Sequence, residues 1–143
     1  MKGADILLVE DNPGDVRLTK EAMREAGMCK ILHVARHGLE AMDFLRQAGD
    51  FKDAPRPDLV LLDLNLPRLS GREVLKQMKD DPGLRQIPVI VLSTSDAHRD
   101  VSDSYALHAN CYINKPVDFD EFLRVVQSIE CFWFDLVKLP KGQ

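Results

Sequence analysis

The chain lacks the features that send a protein to a membrane, to the oxidising exterior or to nucleic acid. No apolar run approaches the roughly 20 residues that a membrane-crossing helix needs. The first residues, MKGADILLVE, meet a charge too early for the apolar centre of a secretory leader. The three cysteines, Cys29, Cys111 and Cys131, are odd in number and far apart, and no CxxC or Cys/His cluster accompanies them. This excludes the usual zinc patterns and a disulfide framework, leaving three small apolar residues in a reducing compartment. The expected location is the cytoplasm. Basic excess is missing too: 19 Lys and Arg stand against 23 Asp and Glu, a net charge of -4. Bulk attraction to a phosphate backbone is therefore not expected. Internal repeats, low-complexity tracts and linkers are also absent.

What is present is ordinary globular material. The 143 residues are 45% hydrophobic and 29% charged, the size and balance of one soluble domain that can bury a core without cross-links. Short runs rich in Val, Ile and Leu recur: ILLV at 6–9, ILHVA at 31–35, LVLL at 59–62, VIVL at 89–92 and CYI at 111–113. Continuous apolar runs suggest strands covered on both faces, as in parallel sheets. Helical periodicity fills the gaps between them. DVRLTKEAMREAG places Val16, Leu18, Ala22, Met23 and Ala26 before a capping Gly27. GLEAMDFLRQAG places Leu39, Met42 and Leu45 before Gly49, and GREVLKQMKDDPG places Val74, Leu75 and Met78 before Pro82-Gly83. AHRDVSDSYALHA is weaker, while DFDEFLRVVQSIECFWFDLV is long and amphipathic. The segment 47–58 is the longest expected loop. Five strand-then-helix units predict an α/β fold with a doubly wound, five-stranded parallel sheet, too few for an eight-stranded barrel.

In such a sheet, ligands bind outside the carboxyl ends of the strands. There the sequence places Glu10, Asp11 and Asn12 after the first strand, Asp63 after the third, Ser93, Thr94 and Ser95 after the fourth, and Lys115-Pro116 after the fifth. Like charges packed closely favour a neutralising proton or cation. Oxygen ligands suit a hard ion, and Mg²⁺ in particular is held by one or two carboxylates with waters and phosphate oxygens. An Asp carboxylate can itself take a phosphoryl group, with a lysine and a metal neutralising the transferred charge. Each motif alone has a plainer explanation. Asp11 or Asn12 can cap a helix that begins at Pro13, Asp63 can open a loop, and Lys115-Pro116 can mark a turn. Their order, each at a strand end, favours a shared site.

The motifs ILLVEDN, LVLLDLNLPRLSG, PVIVLSTS and NCYINKP, spaced 30 residues from Asp63 to Ser93 and 22 from Ser93 to Lys115, resemble those of CheY-like receiver domains of two-component response regulators. The resemblance covers nearly the whole chain. It implies a flavodoxin-like (βα)5 sheet in the order 2-1-3-4-5, with Asp63 as phosphoacceptor. It further implies a Mg²⁺ site from Glu10, Asp11, Asp63 and the main-chain carbonyl of Asn65. Ser93 would bond the phosphoryl group, Lys115 would pair with it ahead of a cis bond to Pro116, and Tyr112 would be the aromatic switch. The phrases VEDNPGDVRLTKEA, GREVLKQMKDDPGLRQIPVIVLSTS and FWFDLVKLP resemble the stand-alone regulators that partner phytochrome-type histidine kinases. The implied function is a phosphoacceptor rather than an enzyme, with Mg²⁺-dependent self-phosphorylation and autodephosphorylation.

Three positions depart from the family pattern. His108 stands where Gly is common, at a cost of about 1 kcal/mol if the left-handed conformation is kept. Thr94 stands where Ala or Gly is frequent, and its bulk would restrict access to the phosphoryl group. The last helix also overruns its usual end. One receiver domain is expected over 1–143, with an extended helix or tail over about 130–143 and no output domain, so output would be a docking surface for an unknown downstream protein. Phe122, Val126, Ile129, Trp133 and Leu136 form one helical stripe, leaving Phe119, Val125, Phe132 and Phe134 over. Crowded aromatics favour a homodimer on the fourth and fifth helices and the fifth strand. The competing reading folds the tail back over the core. Two other functions compete: a phosphohydrolase with an Asp nucleophile, disfavoured because Asn65 stands where a second acid is needed, and a degenerate interaction module, disfavoured by the intact acidic set. An FMN-binding flavodoxin is disfavoured because no Ser/Thr/Gly-rich loop follows ILLV.

Overall fold

The computed structural model of the chain describes residues 5–25, 31–64, 66, 68–93, 111–114, 120 and 124. Five strands, β1 (Asp5–Val9), β2 (Ile31–Ala35), β3 (Leu59–Leu62), β4 (Val89–Ser93) and β5 (Cys111–Asn114), form one sheet in the order β2-β1-β3-β4-β5. Every pairing is parallel. The strand order and parallel pairing are those that the receiver-domain resemblance implies. Helices α1 (Pro13–Glu25), α2 (Gly38–Arg46) and α3 (Gly71–Asp80) make the first three crossovers. The fourth helix lies outside the described residues, and of the fifth only residues 120 and 124 are described.

The runs read as doubly covered strands are so at the centre of the sheet. Ile6 to Val9, Leu59 to Leu62 and Val89 to Val91 are all buried. At the edge, β2 departs from that expectation: only Ala35 is buried, and Ile31 is 60% exposed. An edge strand has one neighbour, so its outer row lacks the cover that a central strand receives. The principal core joins inward residues of β1, β3 and β4 to Met42, Phe44 and Leu45 of α2 and Val74, Leu75 and Met78 of α3. Leu75 is fully buried, so Leu75→Ala should cost about 2–5 kcal/mol through lost transfer energy and the cavity left behind. Urea unfolding should show this as a lower midpoint at unchanged slope.

Helix ends explain where the periodicity misjudged boundaries. Helix α1 begins at Pro13, two residues before the periodic segment, because the Asn12 side-chain oxygen accepts from the N–H groups of Gly14 (2.8 Å) and Asp15 (3.1 Å). Pro13 then occupies the first helical position, where no N–H is needed. Along α1, Thr19 rather than Leu18 is fully buried; its hydroxyl donates to the Asp15 carbonyl at 2.9 Å. Helix α2 stops at Arg46 because Gln47 turns left-handed, with φ 56°, and its N–H reaches the Asp43 and Phe44 carbonyls. Gly49 is not that cap: it opens a 3-10 turn (Gly49–Phe51) inside the expected loop, and Phe51 packs against the core. Leu39 is 44% exposed, so it does not join the buried face of α2. Gly27 lies outside the described residues.

Candidate functional site: an acidic cluster at the carboxyl edge

The parallel register decides where the acidic residues stand. Val9 is opposite Ala35 on one side and Leu62 on the other. The ladder runs one residue further: the Glu10 N–H donates to the Ala35 carbonyl at 2.9 Å, and the Asp63 N–H donates to the Val9 carbonyl at 3.1 Å. Glu10 and Asp63 are thus fixed by backbone bonds at neighbouring strand ends. Glu10 is 2% exposed and Asp63 8%, whereas Asp11 faces solvent. One carboxylate oxygen from each of the three lies within 4.8 Å of the others.

Two unit charges at such a distance repel by roughly 3–4 kcal/mol at an effective dielectric of about 20. Local bonds ease part of this, since the Asn12 N–H donates to Glu10 Oε2 at 3.3 Å. The donor set is all oxygen, with two carboxylates recessed and one at the opening. That fits a hard divalent ion that keeps part of its water shell, as Mg²⁺ does. Glu10, Asp11 and Asp63 are the residues that would hold it.

The cluster also contains the helix cap that offered the plainer explanation of VEDN. Asn12 caps α1, and the carboxylates just before it remain available to the cluster. The cap and the acidic cluster thus use different side chains of one turn. Ser93 closes β4, which lies beside β3 with Leu62 opposite Val91. Its backbone reaches the same sheet edge as Asp63. Ser93 pairs with Asn114, and Tyr112 pairs with Val91, so β5 ends at this edge immediately before Lys115. The Ser93 and Tyr112 side chains, together with Asn65, Thr94, His108, Lys115 and Pro116, lie outside the described residues.

The residues that shape the loop after Asp63 were not singled out as site residues by motif reading. Leu64 is buried, and Leu66 and Leu69 pack against the core. Arg68 adopts φ 69°, a left-handed turn uncommon outside Gly, Asn and Asp. Ser70 caps α3, its hydroxyl accepting from the Glu73 N–H at 3.2 Å. Gly71 is pressed against the Asp63 and Leu64 backbone: a Cβ there would overlap the Asp63 carbonyl oxygen and stand 2.6 Å from Leu64 Cα. Its N–H donates to the Leu64 carbonyl at 3.1 Å. The signal in LSG was the Ser-Gly pair opening a helical period; its closeness to Asp63 is a tertiary fact. His37, which caps α2 by accepting from the Glu40 N–H at 3.1 Å, gave no signal because His is not among the preferred cap residues.

Known proteins share both the sequence and this architecture. The chain is 48% identical over 135 residues to the response regulator Rcp1 of Synechocystis sp., covering 94% of this chain and 92% of that protein. It is 40% identical over 136 residues to a probable methanogenesis regulatory protein, FilR2, of Methanothrix harundinacea, with 94% of this chain and 86% of that protein covered. The phosphorylated cyanobacterial phytochrome response regulator RcpA superposes with a TM-score of 0.93 at 47% identity, over 98% of this chain and 100% of RcpA. The Mn²⁺-bound form of Rcp1 superposes with a TM-score of 0.90 at 47% identity, covering 96% and 99% respectively. With residues 6–127 matching the receiver domain as a family, and with the acidic cluster at the end of the sheet where that family's motifs meet, the chain belongs to the response regulator receiver domain family.

Proposed function

We propose that this chain is a stand-alone two-component response regulator that takes a phosphoryl group on Asp63 from a phosphohistidine of a phytochrome-type sensor kinase. The observation that carries the reading is the convergence of Glu10, Asp11 and Asp63 within 4.8 Å at the carboxyl ends of β1 and β3. In the transfer, an Asp63 carboxylate oxygen forms a bond to phosphorus while the P–N bond of the donor breaks and its electron pair returns to the imidazole. Bound Mg²⁺ would neutralise charge on the phosphoryl oxygens. The chain itself holds the nucleophile on the recessed side of the site, by the Asp63 N–H to Val9 bond, with Glu10 beside it. Lys115 would pair with the phosphoryl group, and the main-chain carbonyl of Asn65 would complete the metal ligands. The phytochrome-type partner is supported by the likeness to RcpA, a cyanobacterial phytochrome response regulator. Phosphotransfer profiling tests it: a phytochrome-type kinase should label this chain fastest within a panel of histidine kinases. Equal or slower transfer than from unrelated kinases would overturn the choice of partner.

The phosphoryl group would offer Ser93 a new acceptor, and the room Ser93 vacates would let Tyr112 turn inward. This is a population shift whose size is limited to the differential contact energy of the two states. Beryllofluoride with Mg²⁺, a phosphoryl mimic, should shift the Ser93 and Tyr112 side-chain NMR signals together. Unmoved signals at saturating mimic would contradict the switch. The readout would be a docking surface, including a homodimer on the C-terminal face, and the location cytoplasmic. No helix among the described residues is long and apolar enough to cross a membrane. The domain extent of 1–143 with its tail over about 130–143 belongs to the same proposal. Sedimentation at high micromolar concentration should show a dimer that Phe132→Asp with Phe134→Asp disrupts; a monomer with and without beryllofluoride would favour the folded-back tail.

A further inference from the structure

The turn between β2 and α2 touches the Glu10 backbone and the loop that follows Asp63. At its start, the Ala35 carbonyl accepts from the Glu10 N–H at 2.9 Å. Three residues on, Gly38 is buried as the first residue of α2. Where a side chain would be stands the backbone of Leu69: a Cβ on Gly38 would overlap the Leu69 carbonyl oxygen and lie 2.6 Å from Leu69 Cβ. The obstructing atoms include main chain, so a rotamer change cannot clear them. Leu69 belongs to the loop that leaves Asp63 and returns at Gly71. At the far end of the loop, Gly71 is pressed on the Asp63 and Leu64 backbone. Next to Leu69, Arg68 is already held at φ 69°. Close-packed interiors pass such displacements on rather than absorb them.

We propose that Gly38 is a positioning residue for the acidic site: by admitting the Leu69 backbone against the start of α2, it sets through the 64–71 loop where Asp63 stands relative to Glu10 and Asp11. The cation part of the test rests on the proposed function; the backbone part does not. Gly38→Ala is prepared in the full chain beside a control, Gly49→Ala. Gly49 has φ +58° and open space around a Cβ, so alanine there strains the fold without pushing the loop. Amide NMR spectra without metal should show the Asp63, Leu64 and Gly71 signals displaced in Gly38→Ala and unmoved in the control. Calorimetric titration with Mg²⁺ should show affinity lowered roughly tenfold in Gly38→Ala, the scale seen when a metal ligand loses its outer support, and unchanged in Gly49→Ala. If Gly38→Ala does not fold, Leu69→Gly, which loosens the same contact by removing the Leu69 side chain, is read by the same two measurements. Unmoved Asp63 and Leu64 amides, or wild-type Mg²⁺ affinity with only α2 signals displaced, would overturn the proposal. A wild type that binds no Mg²⁺ would instead count against the proposed function, and the amide displacements would still decide the role of Gly38.

Discussion

Asp63→Asn should abolish phosphoryl uptake completely while leaving the protein folded. Asparagine matches the shape of aspartate, and the backbone bond from residue 63 to the Val9 carbonyl is indifferent to the side chain. What would be lost is the anionic oxygen proposed to attack phosphorus; a neutral amide does not replace it. The same substitution removes one of three carboxylates that meet within 4.8 Å. Relief of that repulsion should raise the stability of the metal-free protein by on the order of 1–3 kcal/mol. Labelling from acetyl phosphate with Mg²⁺, and thermal unfolding in EDTA, measure the two effects. Label on the variant equal to wild type would show that another residue accepts the phosphoryl group. A variant without label and also less stable would locate the fault in folding rather than in chemistry.

The second large effect is expected from removing the metal or its solvent-side ligand. Excess EDTA should stop phosphorylation of the wild type. Asp11→Ala should weaken Mg²⁺ binding by roughly 100-fold, the upper end of the losses known when residues that support a metal ligand are removed, because Asp11 is itself a proposed ligand. Asp11 is exposed while Glu10 and Asp63 are recessed, so its removal leaves the core untouched and the melting temperature in EDTA should not fall. Lys115→Ala should keep Mg²⁺ binding and lose the phosphorylated state's response, because its proposed partner is the phosphoryl group. Titration calorimetry and phosphotransfer assays on the two variants separate these roles. Undiminished phosphorylation in EDTA would remove the metal from the mechanism, and equal Mg²⁺ affinity in Asp11→Ala would remove Asp11 from the ligand set.

Residue pattern alone dictates the kinds of element and the polar groups at their ends. A run such as LVLL is apolar at every position, which only a doubly covered strand or a buried helix accommodates, and its length selects the strand. Val74, Leu75 and Met78 recur at helical spacing and are buried where α3 meets the core. Glu10, Asp11 and Asp63 were legible as candidates because a carboxylate at the end of an oily strand is costly without a purpose. Their meeting was not legible from local pattern: Asp11 and Asp63 come together because β1 pairs with β3 rather than β4. Five strand-helix units leave that order open, and only the resemblance of the motifs implies it. Burial at the edge was likewise a tertiary matter, since Ile31 and Leu39 fit their periodic patterns yet remain exposed. Gly38, Gly49 and Gly71 look alike in sequence, each beside a predicted helix. Only the packed structure distinguishes them, because the neighbour that forbids a side chain at Gly38 is Leu69, at Gly71 it is Asp63 and Leu64, and at Gly49 nothing is within reach. Local periodicity records how much of a residue is covered, whereas the identity of what covers it depends on chain segments far away in sequence.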